Sequence, residues 1–258
     1  MKATLLGGAA ASLLTVSAFA ADLGLPSAPR QPVVPPFTWT SCYAGVQAGG
    51  GWGKKDLTDT VGILSSLPGG FSAANLDVSG YMVGGQFGCD YQFAPTWVVG
   101  IEGAASGGNI SKTTNFVTSF GSAAPAPGDD TASFRSTTDF LGSITGRIGY
   151  TFDRWLVYGK GGVALVGDRY HVEDVDGNYF FDATENRIGW TAGAGIEWAF
   201  TPEWSVKLEY NYYGFGTKSV LLEDTTVAVG TNAPVNINQN IQVVLLGINF
   251  HARSGPDW

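Results

Sequence analysis

Six charged residues carry the chemistry this chain could do: Glu102, Arg147, Lys160, Glu197, Lys207 and Glu209. Three cations and three carboxylates gathered inside a narrow tube either neutralise one another as an ion-pair plug or line a pore as a charged constriction. Cys42 and Cys89 are the only cysteines. In an oxidising compartment they would form a disulfide; otherwise they are two small apolar residues on a wall. Acid–base chemistry has little to work with, because His171 and His251 are the only histidines. His171 falls in a long predicted loop beside Glu173, Asp174 and Asp176, and His251 at the opposite end of the predicted strands, so the two share no site. A nucleophile–base pair needs hydrogen-bond reach, and the pattern places no serine beside His171. No enzyme activity is expected.

Metal and cofactor sites fare no better. The segment from Asp168 to Glu185 holds Asp168, Glu173, Asp174, Asp176, Asp182 and Glu185 against Arg169. Oxygen ligands at this density can hold Ca²⁺, yet Asp174-Val-Asp176-Gly177-Asn178 lacks the spacing of an EF-hand loop. An acidic, solvated surface loop is the expectation. Haem would need His or Tyr ligands, which makes His171 with Tyr170 or Tyr179 a candidate set. The Gly-rich stretches Gly49-Gly-Gly51 and Gly193-Ala-Gly195 are not phosphate loops, because no helix follows them. The expected cofactor and metal content is therefore none.

The elements that must position the charges are strands. In Ile188-Gly-Trp190-Thr-Ala-Gly-Ala-Gly-Ile196-Glu-Trp198-Ala-Phe200 the even positions are apolar and the odd ones small or charged. Successive side chains of a strand point to opposite faces. Eight segments of this kind occur, at about 42–52, 78–93, 97–107, 138–152, 155–167, 187–200, 204–216 and 240–250. Three connections are short and turn-like: Ala94-Pro95-Thr96, Asp153-Arg154 and Thr201-Pro202-Glu203. Four are long, at about 53–77, 108–137, 168–186 and 217–239. Each short turn is flanked by aromatics, Phe93 and Trp97, Phe152 and Trp155, Phe200 and Trp204. Apolar faces ending in an aromatic girdle, with short turns at one end and long loops at the other, predict an all-β fold. It is an eight-stranded antiparallel transmembrane β-barrel with short periplasmic turns and long extracellular loops. The opposite face carries Gln86 and Asp90 as well as the six charges. Facing lipid, each charge would cost a few kcal/mol; facing inward, Arg147, Lys160 and Lys207 can pair with Glu102, Glu197 and Glu209. Eight strands leave only enough room for side chains to fill the interior.

Bulk composition agrees. The 258 residues are 14% charged and include 37 Gly, where an average chain is roughly 25% charged. The net charge of −8 argues against nucleic acid as a partner. Lys2, the apolar run Leu5 to Val16 and Ala18-Phe19-Ala20 form a signal peptide over 1–20. Residues 21–37 carry five prolines and read as an extended periplasmic linker. The barrel is expected over 38–250, followed by a polar tail over 251–258. Cys42 opens the first strand and Cys89 lies near the end of the second, both on the outer face, where antiparallel neighbours would bring them together.

The order of several motifs resembles a known group: Ala21-Asp22-Leu23 after the signal peptide, Phe37-Thr-Trp39-Thr-Ser-Cys-Tyr43-Ala-Gly45, Gly49-Gly-Gly-Trp52-Gly53, Gly84-Gly-Gln-Phe-Gly-Cys-Asp-Tyr-Gln92, Gly146-Arg-Ile-Gly-Tyr150, Tyr158-Gly-Lys-Gly-Gly162 and Leu208-Glu-Tyr210. Together they resemble the outer-membrane immunogenic proteins of alphaproteobacteria, small porin-like barrels related in architecture to the OmpA membrane domain. The resemblance implies an outer-membrane location in a Gram-negative envelope, surface exposure and antigenicity, and no catalytic residues; in some members it implies a pore or haem binding. It also implies recognition by the barrel-assembly machinery through a terminal aromatic residue, which here is either Phe250 or Trp258. The expected partners are outer-membrane lipid and lipopolysaccharide, an extracellular ligand at the loops, and no second subunit.

Overall fold

The structure is a computed structural model that describes residues 37–59, 73–117, 131–173, 179–224 and 233–252. Eight strands run through them: β1 Ser41–Asp59, β2 Ala73–Ala94, β3 Trp97–Val117, β4 Thr131–Phe152, β5 Trp155–Glu173, β6 Tyr179–Ala199, β7 Trp204–Asp224 and β8 Ala233–Ala252. Every strand pairs antiparallel with its chain neighbours, and β1 pairs with β8, so the sheet closes into a barrel. Closure leaves no sheet edge, which is the condition for crossing a membrane with strands.

Alternation sets which side faces out. Tyr81, Val83, Phe87, Ile101, Ile144, Val163, Ile188 and Leu246 all stand exposed on the outer surface. On the opposite face Asp90, Glu102, Arg147, Lys160, Asp168, Arg187, Glu197, Lys207 and Glu209 point inward and are buried. Phe93, Trp97, Phe152, Trp155, Phe200 and Trp204 lie outward at the turn end, each between 39% and 53% exposed. Around that rim Trp155 stacks on Trp198 at 5.7 Å and Trp204 meets Phe250 at 5.2 Å. At the β4–β5 hairpin Asp153 adopts a φ of 54°, a left-handed conformation that Asp tolerates better than most residues.

The strands are longer than the hydropathy pattern indicates. Residues 53–59, 73–77, 108–117, 131–137, 168–173, 179–186, 217–224 and 233–239 are strand, although they fall in the four connections read as long loops. Strands of 19–22 residues tilted as in a small barrel rise about 50 Å, twice the roughly 25 Å apolar band. Beyond that band the outward face turns polar, as at Lys54, Asp56, Asp77 and Arg169, so the apolar-out alternation that reveals a strand disappears. Consequently Asp168 and His171 sit on β5 rather than in a loop. At the other terminus β8 continues through Ala252, so His251 is a strand residue and not part of a tail. The proposed signal peptide, linker residues 21–36, the acidic run Asp174–Asn178 and tail residues 253–258 lie outside the described residues.

One stretch of the ladder differs from the rest. β6 and β7 pair continuously from Ala199↔Ser205 to Trp190↔Gly214, and again at Asp182↔Glu223 and Phe181↔Asp224. Between these, residues 183–189 and 215–222 have no partners across the seam. Phe215 bulges from the β7–β8 register at the same height, followed by Gly216 with φ +62°, a region where glycine carries no Cβ penalty.

Candidate functional site

Among the described residues, buried charged side chains converge in the barrel interior. Arg147 on β4 is its hub. Its Nε donates to Asp90 Oδ1 at 2.7 Å and its Nη2 pairs with Asp90 Oδ2. Nη1 donates to Glu197 Oε2 at 3.2 Å and lies 3.9 Å from Glu102 Oε2. The guanidinium is held between two aromatic faces, 4.7 Å from the Tyr43 ring and 5.0 Å from the Tyr158 ring, a cation–π arrangement that gains strength away from water. Lys160 bridges Glu102 at 2.8 Å and Glu209 at 2.5 Å. Lys207 bridges the same two carboxylates at 2.9 and 3.4 Å.

Neutral donors complete the carboxylates. Tyr43 donates to Glu102 and Tyr158 to Glu209, both at 2.7 Å. Asn211 donates to Glu209 and Asn249 to Glu197, again at 2.7 Å. Such saturation matters, because a buried ion pair stabilises only when its remaining lone pairs are also met. The glycines make the room: a Cβ at Gly195 would stand 2.6 Å from the Tyr158 ring.

All six charges singled out from the sequence are therefore buried together. The expected pairing leaves out Asp90, which accepts two of the three hydrogen bonds Arg147 donates. Its inward parity was visible; what the pattern cannot give is which inward residues share a height across the barrel.

At the turn end His251 lies between two serines. Ser41 Oγ is 3.0 Å from Nδ1, and Ser205 Oγ is 2.8 Å from Nε2 while donating to Glu197. Sequence reasoning sought a serine beside His171 and missed these two, which register brings in from distant strands. The arrangement has the residue types of a hydrolytic relay, but it is covered. Trp39 and Tyr43 pack on the imidazole at 6.0 and 5.5 Å. Trp39 belongs to a short strap, Phe37–Thr40, whose backbone N–H at Trp39 donates to Gln92. The Trp39 ring is buried against Val98, Leu156 and Ala199. Phe37 packs on Trp39 at 5.3 Å, so it belongs to this cap rather than to the preceding linker.

Farther from the turns the interior becomes apolar: Val78, Met82, Ile110, Leu141, Val166 and Tyr213 belong to one buried cluster. Beyond that cluster comes a second polar layer. Lys55 donates to Asp168 at 2.8 Å and to Ser136 at 2.9 Å, and Thr138 also donates to Asp168. Arg187 donates to the Ile237 carbonyl at 3.0 Å and to the Tyr170 hydroxyl at 3.3 Å. None of these upper residues was a sequence candidate for the interior network: Lys55, Ser136, Asp168, Tyr170 and Ile237 lay in segments read as loop, and Thr138 and Arg187 stood at the first position of segments read as strand.

Cys42 and Cys89 oppose each other in the β1–β2 register and are joined by a disulfide on the outer side of the wall. Of the haem set, His171 and Tyr170 do not face one site. Tyr170 is buried inside the barrel while His171, its neighbour along the strand, is half-exposed on the outer face. The side chain of Tyr179 lies outside the described residues.

Residues 8–243 match the family model described as the outer membrane protein beta-barrel domain. The 31 kDa outer-membrane immunogenic protein of Brucella melitensis is 28% identical over 97% of this chain and 99% of its own length. The 25 kDa outer-membrane immunogenic protein of Brucella abortus is 29% identical over 88% of this chain and 91% of its own. Among solved structures, the outer membrane protease OmpT of Escherichia coli superimposes with a TM-score of 0.50 at 11% identity, over 85% of this chain and 99% of that one; the likeness is one of fold. With a closed eight-stranded barrel and a family match over most of its length, the chain belongs to the outer membrane protein beta-barrel domain family and is a protein of the outer membrane.

Proposed function

We propose that the protein is a structural and interaction component of the cell envelope, exposed at the surface, whose lumen is plugged and which has no catalytic role. The observation that carries this reading is the filling of the lumen at successive heights. The Trp39 strap is followed by the Arg147-centred network, the apolar layer and the Lys55–Asp168 layer. A pore needs a continuous wet path, and the apolar layer interrupts one even where charges line the walls above and below it. The relay at His251 sits beneath Trp39, leaving the hydroxyls no substrate approach. The Brucella relatives, named as outer-membrane immunogenic proteins, support surface exposure. The outward belt suits contact with outer-membrane lipid and lipopolysaccharide. A monomer suffices, since closure leaves no edge to pair. Phe250, outward on β8 beside Trp204, is the terminal aromatic offered to the assembly machinery.

Planar-bilayer recording of the refolded full chain tests the plug. Wild type gives no steady conductance, and Arg147→Ala/Lys160→Ala lowers stability more than it opens a path. Reproducible wild-type conductance that rises in this double variant would replace the plug by a narrow porin-like channel with these charges as its filter.

A further inference from the structure

The seam between β6 and β7 combines three features found together nowhere else among the described residues. First, the backbone ladder stops. From residue 183 to 189 on β6 and from 215 to 222 on β7 no register pairs are made. The described links across this stretch are side-chain ones: Lys218 Nζ donates to Glu185 Oε2 at 2.7 Å and to the Asn186 carbonyl at 3.3 Å. Second, the seam begins just beyond an outward aromatic pair of the kind found at a membrane interface. Its lower sill is Trp190 against Tyr212, with ring centroids 5.3 Å apart on the outer face. Ile188, just beyond, is 73% exposed. Unpaired backbone in hydrocarbon costs several kcal/mol per group, so a ladder that ends here requires polar groups, supplied by water or by lipid heads, at this height.

Third, Arg187 lies immediately inside the seam. It is 3% exposed, and both its described acceptors, the Ile237 carbonyl and the Tyr170 hydroxyl, are neutral. Its Nε has no hydrogen-bond partner, and among the described residues no carboxylate forms an ion pair with it. The neighbouring carboxylate Asp168 already pairs with Lys55. The layer therefore holds two cations against one buried anion, and an uncompensated buried charge is among the most costly arrangements a protein keeps.

We infer that this seam is a side entrance for an anionic amphiphile. Its phosphate or carboxylate head pairs with Arg187, and its acyl chain lies outside against Ile188 and Trp190. Guanidinium suits such a head because its planar donors match two oxygens at once. The head supplies the missing negative charge, and its oxygens accept from the N–H groups the ladder leaves open. The site is separated from the Arg147 network by the apolar layer, so it stands whether or not that network conducts.

The test uses the full chain refolded in neutral dodecyl maltoside micelles, titrated calorimetrically with dodecyl phosphate. Wild type binds one equivalent, and Arg187→Gln binds at least tenfold more weakly. A brominated acyl chain on the probe quenches fluorescence that Trp190→Phe no longer shows. Equal binding by a folded Arg187→Gln variant overturns the site. Displacement of the probe by inorganic phosphate at the same concentration overturns the side entrance, because the anion would then be reaching Arg187 from the barrel mouth. Should Arg187→Gln lose the heat-dependent gel shift of a folded barrel, wild type decides alone. Dodecyltrimethylammonium binding as tightly as dodecyl phosphate overturns the proposal.

Discussion

The two polar layers of the barrel are built to opposite charge balances. Near the short turns, four carboxylates (Asp90, Glu102, Glu197 and Glu209) surround three cations, Arg147, Lys160 and Lys207. Toward the far end, Lys55 and Arg187 share one compartment with a single buried carboxylate, Asp168; both reach Tyr170, Lys55 at 5.1 Å from its ring and Arg187 at its hydroxyl. In the first layer a cation is the scarce partner, and every one of them is shared between carboxylates. In the second the carboxylate is scarce. Scarcity, rather than the number of ion pairs, decides which residue each layer cannot lose.

The largest effect is expected at Arg147. Arg147→Met leaves Asp90 with no cation and removes one from Glu197, while keeping the bulk between the two tyrosines. Breaking a buried pair from one side costs about 3–5 kcal/mol, so urea unfolding of the refolded barrel shifts by that amount. Asp90→Asn costs less, because Glu197 and Glu102 still hold the guanidinium. A larger loss for Asp90→Asn than for Arg147→Met would break the contrast between the layers.

How much of this was legible follows from where lipid lies. Around the short turns the outward face is apolar and the inward face polar. Parity alone therefore placed Glu102, Arg147, Lys160, Glu197, Lys207 and Glu209 inside, and the aromatics flanking the turns placed them near one end. At Lys55 and Asp168 the outward neighbours Lys54, Asp56 and Arg169 are themselves polar and the segments read as loop, whereas Arg187 opens a segment that reads as strand, on its inward face, but without a visible partner. Asp90 fell between these cases: its face was readable, but its partner depended on the stagger of β2 against β4 across the lumen. Ser41, Ser205 and His251 were hidden for the same reason, since three strands from opposite ends of the chain meet only when the barrel closes. The β6–β7 seam left no trace in hydropathy at all, because pairing is a property of two strands and periodicity of one.

The second layer predicts the reverse order of sensitivity. Lys55→Met leaves Asp168 with Thr138, Gln239 and the nearby Arg187, and costs about 1.5–3 kcal/mol, the range for a hydrogen bond to a charged group. Asp168→Asn strands two cations in one dry compartment and costs more than Lys55→Met. Replacing both as Lys55→Met/Asp168→Leu costs less than Asp168→Asn alone, since swapping a buried pair for apolar groups is often near neutral. Urea midpoints of the three variants in one detergent give the ranking directly, and Lys55→Met as the most damaging of them would show that this layer obeys the same balance as the first.

The smallest effect belongs to Lys218, which touches neither layer but spans the seam beside the second. Its side chain is 46% exposed, and that of its partner Glu185 25%, so solvent screens the pair. Exposed ion pairs contribute roughly 0–1 kcal/mol, and Lys218→Ala should leave the urea midpoint within that range. The local consequence is different in kind. The Asn186 carbonyl loses its described donor, in a stretch where the ladder provides none. Amide hydrogen exchange should therefore quicken over 183–189 and 215–219 while the paired strands around Arg147 stay protected. If exchange rises equally on both sides of the apolar layer, the two ends of the barrel open together, and the contrast in charge balance has no counterpart in local stability.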